Sequence, residues 1–551
     1  MPTSSGPGRA APGPVVPAGF VVLGLLYPAV LGAVALAGSI GRVRQDFSDD
    51  AYYYALIAHH LVTGSGSTFG GLVPTNGYQP LWQLLLLPVA AVASGDRQLR
   101  LTFVLAGVLF SCFVVLAWKF ADGLGARTEG LYAAGYATAV GGLFGNQVYN
   151  GMEFALVTPA AMLVVLLLLR SPEHLGQGRR EAVRHGALLG LAGLVLVLSR
   201  LDAVALLLAS GVVVLARRRD RDLRCAWLTT ALVVVAGLVA YGAWNQVHFG
   251  TPVPVSGLAK ALGGATPESA VSVFRSYLSF GDAGPLTSLW LGLQAVLVTA
   301  VALGLLRRTG GAAPLFSAPQ DAALSGILQA LALAQLLQLG YYAATSSWHL
   351  WEWYYYYVPL QFTVAGLVVL RAVLRARWSG VLSRPVVPVG AACLAAAVGV
   401  GLFVLDDPRT SWTTSSTGVG AWIDQHTAPD AVIAVGDRAG GLVWASRRRA
   451  VQLEGLVEDD RYLSVLRSRT IAQHLSEQSV DYYVRGDTLG DPAGATPLPG
   501  RPGCWSFVEP RQGQGPKSSV VACDGDLVHS AAQDDGSVWR VWIFRPELQV
   551  P

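Results

Sequence analysis

Twelve apolar runs divide this chain into membrane-length pieces, and they restrict its fold more than any other feature. They fall near residues 16–40, 80–93, 99–118, 129–145, 152–169, 186–199, 201–216, 226–243, 286–306, 322–344, 354–374 and 386–405. A helix needs about 20 residues to cross the hydrocarbon core. Several runs reach that length, whereas 80–93 is short. The chain is 52% hydrophobic and only 13% charged, against about a quarter charged in soluble domains. The composition therefore predicts a mainly α, polytopic transmembrane helical bundle over 17–405, with about 11–13 spans. Residues 1–16 are Pro/Gly/Ser-rich and read as disordered. Residues 406–551 read as a separate soluble α/β domain.

Positive charge sets the expected orientation. Arg170 with Arg179, Arg180 and Arg184, then the cluster Arg217 to Arg224, then Arg307 and Arg308, then Arg371, Arg375 and Arg377 mark successive cytoplasmic loops. The acid-, amide- and aromatic-rich loops between them, and the tail after Leu405, fall outside. The first run ends in Ala35-Leu36-Ala37, which could pass for a signal-peptidase site, but the n-region carries only Arg9, so an uncleaved signal anchor is expected. Three runs lie between two outer loops that an even number must separate. Making 80–93 re-entrant or interfacial restores the parity, provided protein or water covers its backbone.

The net charge of +4 is spread over loops, and no clustered basic face suggests nucleic acid. Lys119, Lys260 and Lys517 are the only lysines. Cys504 and Cys523 are close enough in sequence to form a disulfide in an oxidising compartment. There is no CxxC, zinc spacing, GxGxxG, P-loop, GxSxG or usable HExxH. The outer domain alternates: helix at Gly420–His426, strand at Ala431–Val435, turn at Gly436-Asp437, helix at Gly440–Ser446 and strand at Ala450–Leu453. A helix around Tyr462–Leu475 and a strand at Val480–Val484 follow, and then a tail that reads as irregular.

The loop 41–79 carries the chemistry. Asp46, Asp49 and Asp50 follow the first apolar run directly, and carboxylates at a membrane surface are costly unless used. Ser48-Asp49-Asp50 opens a helix-forming stretch to Leu61. One reading is capping, with Ser48 as N-cap and the acids complementing the helix dipole. The other makes one carboxylate a general base and its neighbour a hydrogen-bonding or metal-binding partner. The two are compatible. His59 lies ten residues past Asp49, about 15 Å along a helix. The pair cannot share a metal, so His59 is expected to be structural or to contact substrate.

Other polar groups cluster on the outer side. Arg200 and Asp202 interrupt an apolar stretch. They form either a structural pair or a phosphate-gripping fork. Lys260 ends a Pro/Gly-rich outer segment and suits a transferring phosphate as a point charge, or simply snorkels at the interface. Glu153 sits at the mouth of a span. Trp348 to Tyr357 reads most simply as an interfacial aromatic belt. His349 and Glu352 lie within it as possible sugar contacts.

Ser48-Asp49-Asp50-Ala51-Tyr52-Tyr53-Tyr54 with Pro74-Thr75-Asn76-Gly77-Tyr78-Gln79-Pro80-Leu81-Trp82 resembles the first outer loop of GT-C-type membrane glycosyltransferases. Bacterial sets that include actinobacterial arabinofuranosyltransferases and mannosyltransferase-like members look nearest. Asn150-Gly151-Met152-Glu153, Ser199-Arg200-Leu201-Asp202, and Ala421-Trp422-Ile423-Asp424 with Val451 to Val457 strengthen the match. The resemblance implies an outward-facing active site at a bacterial plasma membrane and a polyprenyl-phosphate-linked sugar as donor. The acceptor would be an envelope glycan, glycolipid or protein. It brings Tyr53 and Asn76 into the substrate site. It also implies an acidic base in the first loop, often with a divalent cation (Mg²⁺ or Mn²⁺) near the phosphate. Asp50 is then the metal ligand. The expected enzyme is an inverting hexosyl- or pentosyltransferase with Asp49 as base, Asp50 as partner, and Lys260 with Arg200 on the phosphate. The rivals are a transporter or flippase, which lacks support from paired broken helices, and a non-catalytic binder of lipid-linked glycan.

Overall fold

The computed structural model describes residues 35–124, 148–174, 178–217, 221–279, 299–307, 318–377, 412–488, 495–533 and 536–549, with a few isolated positions between them. The 1–16 segment, the runs at 129–145 and 386–405, and most of those at 16–40 and 286–306 lie outside the described residues. The helices before the outer domain are α1 (Ile40–Asp46), α2 (Asp49–Thr63), α3 (Pro80–Val92), α4 (Asp96–Gly123), α5 (Phe154–His174), α6 (Arg179–Ser199), α7 (Val204–Arg217) and α8 (Arg221–Phe249). They continue with α9 (Val255–Ala261), α10 (Pro267–Ser279), α11 (Ala318–Thr345) and α12 (Tyr357–Arg377).

Among the described residues, five helices are long and apolar enough to cross a membrane: α4, the Phe154–Ser171 part of α5, α6, α8, and the Pro319–Thr345 part of α11. Helix α3 has 13 residues, about 20 Å of rise, short of the ~30 Å hydrocarbon core.

Small residues let the spans approach closely, as expected where no hydrophobic effect drives helices together. A Cβ on Gly186 of α6 would lie 2.3 Å from the Ala226 carbonyl oxygen of α8. Thr230 of α8 donates its hydroxyl to the Gly186 carbonyl at 2.9 Å, fixing that crossing. Gly193 of α6 gives the same close approach to Leu207 of α7.

The outer domain follows the expected alternation. Helix α13 (Trp412–His426) leads to β1 (Val432–Val435), α14 (Ala439–Ser446), β2 (Arg449–Gln452), α15 (Asp460–Ser468), α16 (Ile471–Glu477) and β3 (Tyr482–Thr488). The tail is not irregular. It forms β4 (Ala495–Pro497), β5 (Cys504–Glu509), β6 (Ser518–Cys523), β7 (Leu527–Ala532) and β8 (Ser537–Ile543). Strands β7 and β8 complete a five-stranded sheet in the order β2-β1-β3-β8-β7, and β4-β5-β6 form a second sheet. Closely spaced Gly and Pro hid these strands, because the segments between them are too short to show a clear alternation. β1 pairs in parallel with β2 and β3, and β8 runs antiparallel to β3. Cys504 and Cys523 are register partners on β5 and β6 and are joined by a disulfide.

The aromatic-belt expectation is overturned. Tyr355, Tyr356 and Tyr357 are at most 1% exposed and belong to the core beneath the outer loops. Four consecutive tyrosines look amphipathic in sequence, but here α11 and the Arg200 region cover them.

Candidate active site

The chain enters α2 in extended conformation at Ser48, whose amide is held by the Asn150 carbonyl at 2.9 Å. Ser48 makes no side-chain capping bond. Helix α2 stops at Gly64, which takes the left-handed conformation at φ 85°. Its first turn therefore presents Asp49 and Asp50, both half-buried, to the outer domain.

The two acids have different surroundings. Asp49 accepts the Gly440 amide on one oxygen at 2.8 Å and the Gly441 amide on the other at 2.9 Å. These are the free N–H groups at the start of α14, a natural anion seat. Asp49 thus caps a helix of the outer domain rather than its own. Only glycine fits at 440, since a Cβ would lie 2.1 Å from the Asp49 carbonyl oxygen. Burial pushes the Asp49 pKa up to about 7, with the two amides acting in the opposite direction and the neighbouring Asp50 and Asp437 adding to the rise. Asp50 lies within electrostatic reach of Lys260 and Asp437. Burial raises its pKa, Lys260 offsets part of that rise, and Asp437 adds to it.

Lys260 is carried on α9. The loop that precedes α9 is tied to the 64–79 loop by Asn76, which donates to Thr251 Oγ1 at 3.3 Å and the Val253 carbonyl at 3.1 Å, and accepts the Val255 amide at 3.0 Å. Asn76 therefore positions the lysine helix. Lys260 Nζ donates to the Tyr354 hydroxyl at 3.1 Å and lies 5.6 Å from the centre of the Trp348 ring. Burial opposes its charge, but the Tyr354 phenol, by charge and hydrogen bond, together with Asp50 outweighs it and holds the pKa above the usual lysine value.

Arg200 shows the paired alternative. Its guanidinium donates to Glu153 at 2.6 Å and to Asp202 at 2.9 Å, all three buried. Tyr54 completes Glu153 at 3.1 Å, while Gln338 and Tyr342 complete Asp202 at 2.7 and 3.0 Å. A buried charge held by so many partners is an architectural hub. It still reaches the site indirectly, because Arg200 lies 4.3 Å over the Tyr354 ring whose hydroxyl receives Lys260.

The remaining candidates sit around this centre. Tyr53 is buried and packs edge-on against Phe69. Its hydroxyl feels Asp49, Asp50 and Glu454. His59 is half-buried beside His60, further along α2. His349 bonds Ser276 at 2.8 Å and meets Trp351 edge-on. Glu352 opens the short turn Glu352–Tyr354, and its side chain lies outside the described residues.

Four participants escaped the sequence reading: Asp437, Glu454, Glu509 and Tyr354. Asp437 and Glu454 each sit two residues beyond the carboxyl ends of the parallel strands β1 and β2, where open α/β sheets present ligand groups. Glu454 is buried with one oxygen on the Gln452 amide at 3.2 Å and the other without a hydrogen-bond partner. Burial, with Asp437, Glu509 and Asp50 nearby, holds its pKa well above the carboxylate range. The Val435-Gly436-Asp437 turn was the one available hint. The 64–79 loop reaches this edge by backbone contact: Ala450 N donates to the Gly70 carbonyl at 3.0 Å, and a Cβ on Gly77 would lie 2.0 Å from the Leu456 carbonyl oxygen.

Among the described residues, no three His, Cys, Asp or Glu side chains converge well enough to hold a metal ion.

No protein-family model and no curated protein matches the sequence. Solved structures do match. The crystal structure of ArnT from Cupriavidus metallidurans bound to undecaprenyl phosphate aligns over 86% of this chain and 93% of its own, with a TM-score of 0.53 and 12% identity. The apo crystal structure of the Archaeoglobus fulgidus oligosaccharyltransferase aligns over 85% and 69%, with a TM-score of 0.50 and 12% identity. Arabinosyltransferase EmbB from Mycobacterium smegmatis aligns over 91% and 47% at 14% identity, but its TM-score of 0.30 is too low to carry an argument. At such identities the likeness concerns architecture, and in architecture it spans nearly the whole molecule: this chain has the fold of the GT-C-type polytopic membrane glycosyltransferases.

Proposed function

We propose that this protein is an inverting membrane glycosyltransferase. It moves a sugar from a polyprenyl-phosphate donor to an acceptor hydroxyl of an envelope glycan or glycolipid on the outer face of a bacterial plasma membrane. The observation that carries this reading is that Lys260, held by Tyr354 on α9, lies within electrostatic reach of Asp50 at the start of α2, 210 positions away in sequence. The bound lipid phosphate named for the ArnT structure supports a donor of that class. The Cys504–Cys523 disulfide supports an oxidising, extracytoplasmic location for the domain that completes the site.

Asp50, rather than Asp49, is the base in this reading. Both Asp49 oxygens are engaged by backbone amides, so its carboxylate positions the loop. Asp50 takes the proton of the acceptor hydroxyl as that oxygen attacks the anomeric carbon from the face opposite the phosphate. The C–O bond to the polyprenyl phosphate breaks, and the departing oxygen's charge develops beside Lys260. Its raised pKa brings Asp50 nearer the operating pH, which favours proton transfer. Asp437 and Glu454 line the acceptor side. No step is routed through a divalent cation, since no group of three His, Cys, Asp or Glu side chains among the described residues would hold one.

The test is sugar transfer by purified protein in lipid nanodiscs, from polyprenyl-phospho-pentose and -hexose to envelope oligosaccharides. Wild type transfers one of them, Asp50→Asn does not, and Lys260→Met raises the donor KM. Transfer that survives Asp50→Asn removes the base assignment. Donor movement across the bilayer without transfer would favour a flippase.

A further inference from the structure

The connection from β5 to β6, residues 510–517, is built around one of the chain's three lysines. Lys517 Nζ donates to the carbonyls of Pro510 at 2.7 Å, Arg511 at 3.3 Å, Gln512 at 3.1 Å and Gly513 at 2.8 Å. Four carbonyls drawn to one ammonium force the loop into a tight coil with its amide side outward. That outward side does not face solvent alone. The Gln514 amide donates to Ser347 Oγ at 2.8 Å, and Gln512 Nε2 donates to Asp437 at 3.3 Å. Gly513, at φ 69°, lies so close to Trp348 that a Cβ would fall 2.5 Å from the indole nitrogen. Gly263, three residues past Lys260, packs equally tightly on Ser347 and the Gly515 amide.

Trp348 is the ring beside which the Lys260 ammonium rests, and Asp437 is one of the acids facing Asp50. The coil therefore touches both sides of the candidate site at once. Folding of the outer domain alone does not call for this arrangement. The β5–β6 pair is already closed by its disulfide and six register partners, from Cys504↔Cys523 to Glu509↔Ser518. A hairpin needs neither eight connecting residues nor a half-buried lysine.

We propose that Lys517 is a positioning residue for donor-phosphate binding: by gathering the four carbonyls it holds the 510–515 coil in the shape that seats Trp348 against Lys260. The substrate class is the phosphate of a lipid carrier, and the inference rests on the reading that Lys260 meets that phosphate. Lys517 itself does not touch the donor.

Binding of decaprenyl phosphate alone, without sugar or turnover, to full-length protein in nanodiscs tests this. Lys517→Met is expected to weaken binding about tenfold, the scale on which charge-assisted hydrogen bonds act, and Lys517→Arg to recover part of it. Gly513→Ala keeps the ammonium but pushes Trp348 away, so it should weaken binding similarly even where Lys517→Met folds poorly. In the transfer assay the loss should appear in donor KM, with kcat at saturating donor within about twofold of wild type; a merely structural role would lower kcat and the folded fraction together. Wild-type binding that Lys260→Met weakens, but that both Lys517→Met and Gly513→Ala leave within twofold, overturns the role of the coil alone. Wild-type binding that ignores Lys260→Met removes the donor site, and the inference with it.

Discussion

Replacing Asp49 and Asp50 by asparagine, one at a time, separates positioning from chemistry in adjacent residues. Asp49 accepts two amides of α14, one per oxygen. Asparagine keeps one acceptor and turns its NH₂ toward the second amide. The exchange loses one charge-assisted hydrogen bond, net about 1.5–3 kcal/mol, and the anion at a helix N-terminus, about 0.3–1 kcal/mol. A local loss of about 2–4 kcal/mol follows. It should speed hydrogen exchange at Gly440 and Gly441 by roughly 30- to 700-fold, at 1.4 kcal/mol per decade. The measurement belongs at pH 8, where Asp49, with its pKa near 7, is mostly ionised. Asp50→Asn touches neither amide. Exchange at both glycines should match wild type while turnover falls by about 10²–10⁴. The reasoning fails if Asp49→Asn leaves both amides protected yet abolishes transfer, while Asp50→Asn stays active. That pattern would return the base to Asp49.

Arg200→Ala strands Glu153 and Asp202 in the core. It should cost about 3–5 kcal/mol, read as lower thermal stability and yield; a stable variant that loses only donor affinity would restore a direct phosphate role. Stability should fall as pH rises from about 4 through 8. Burial raises Asp49 to about 7 and Glu458 to about 8, so the folded state keeps protons that the unfolded chain releases above its ordinary carboxylate range. Their contribution is full below that range and is lost through the folded values. Thermal midpoints at pH 5 and pH 8.5 check the sign, and a higher midpoint at pH 8.5 contradicts it. Transfer should continue in excess EDTA, since no described side chains assemble a metal site; loss of activity in EDTA that Mg²⁺ restores would overturn this.

Much of the architecture was legible because it rests on local rules. Apolar run length identified the spans around α4, α5, α6, α8 and α11. Alternation at Ala431–Val484 placed β1, α14, β2 and β3 within a few residues. The strands β4–β8 were missed because short segments broken by Gly and Pro carry little periodic signal. Side-chain roles were harder. Both readings of Arg200 were visible, but nothing local could show that Glu153, 47 positions upstream, and Asp202 together fill its guanidinium. Asn76 was expected at the substrate, and nothing local showed that it also holds the loop ahead of Lys260.

The sequence by itself determined a membrane helix bundle, a C-terminal α/β domain and an acidic pair at the start of a helix, since each follows from composition, length and period along the chain. Only the tertiary structure decided which acid is engaged and which faces the cation. That choice depends on an α14 N-terminus some 390 positions away closing onto Asp49, and on α9 bringing Lys260 to Asp50. Hydrogen-bond direction and charge separation are properties of folded space. Neighbours in sequence can therefore have opposite roles with nothing in their local pattern to tell them apart.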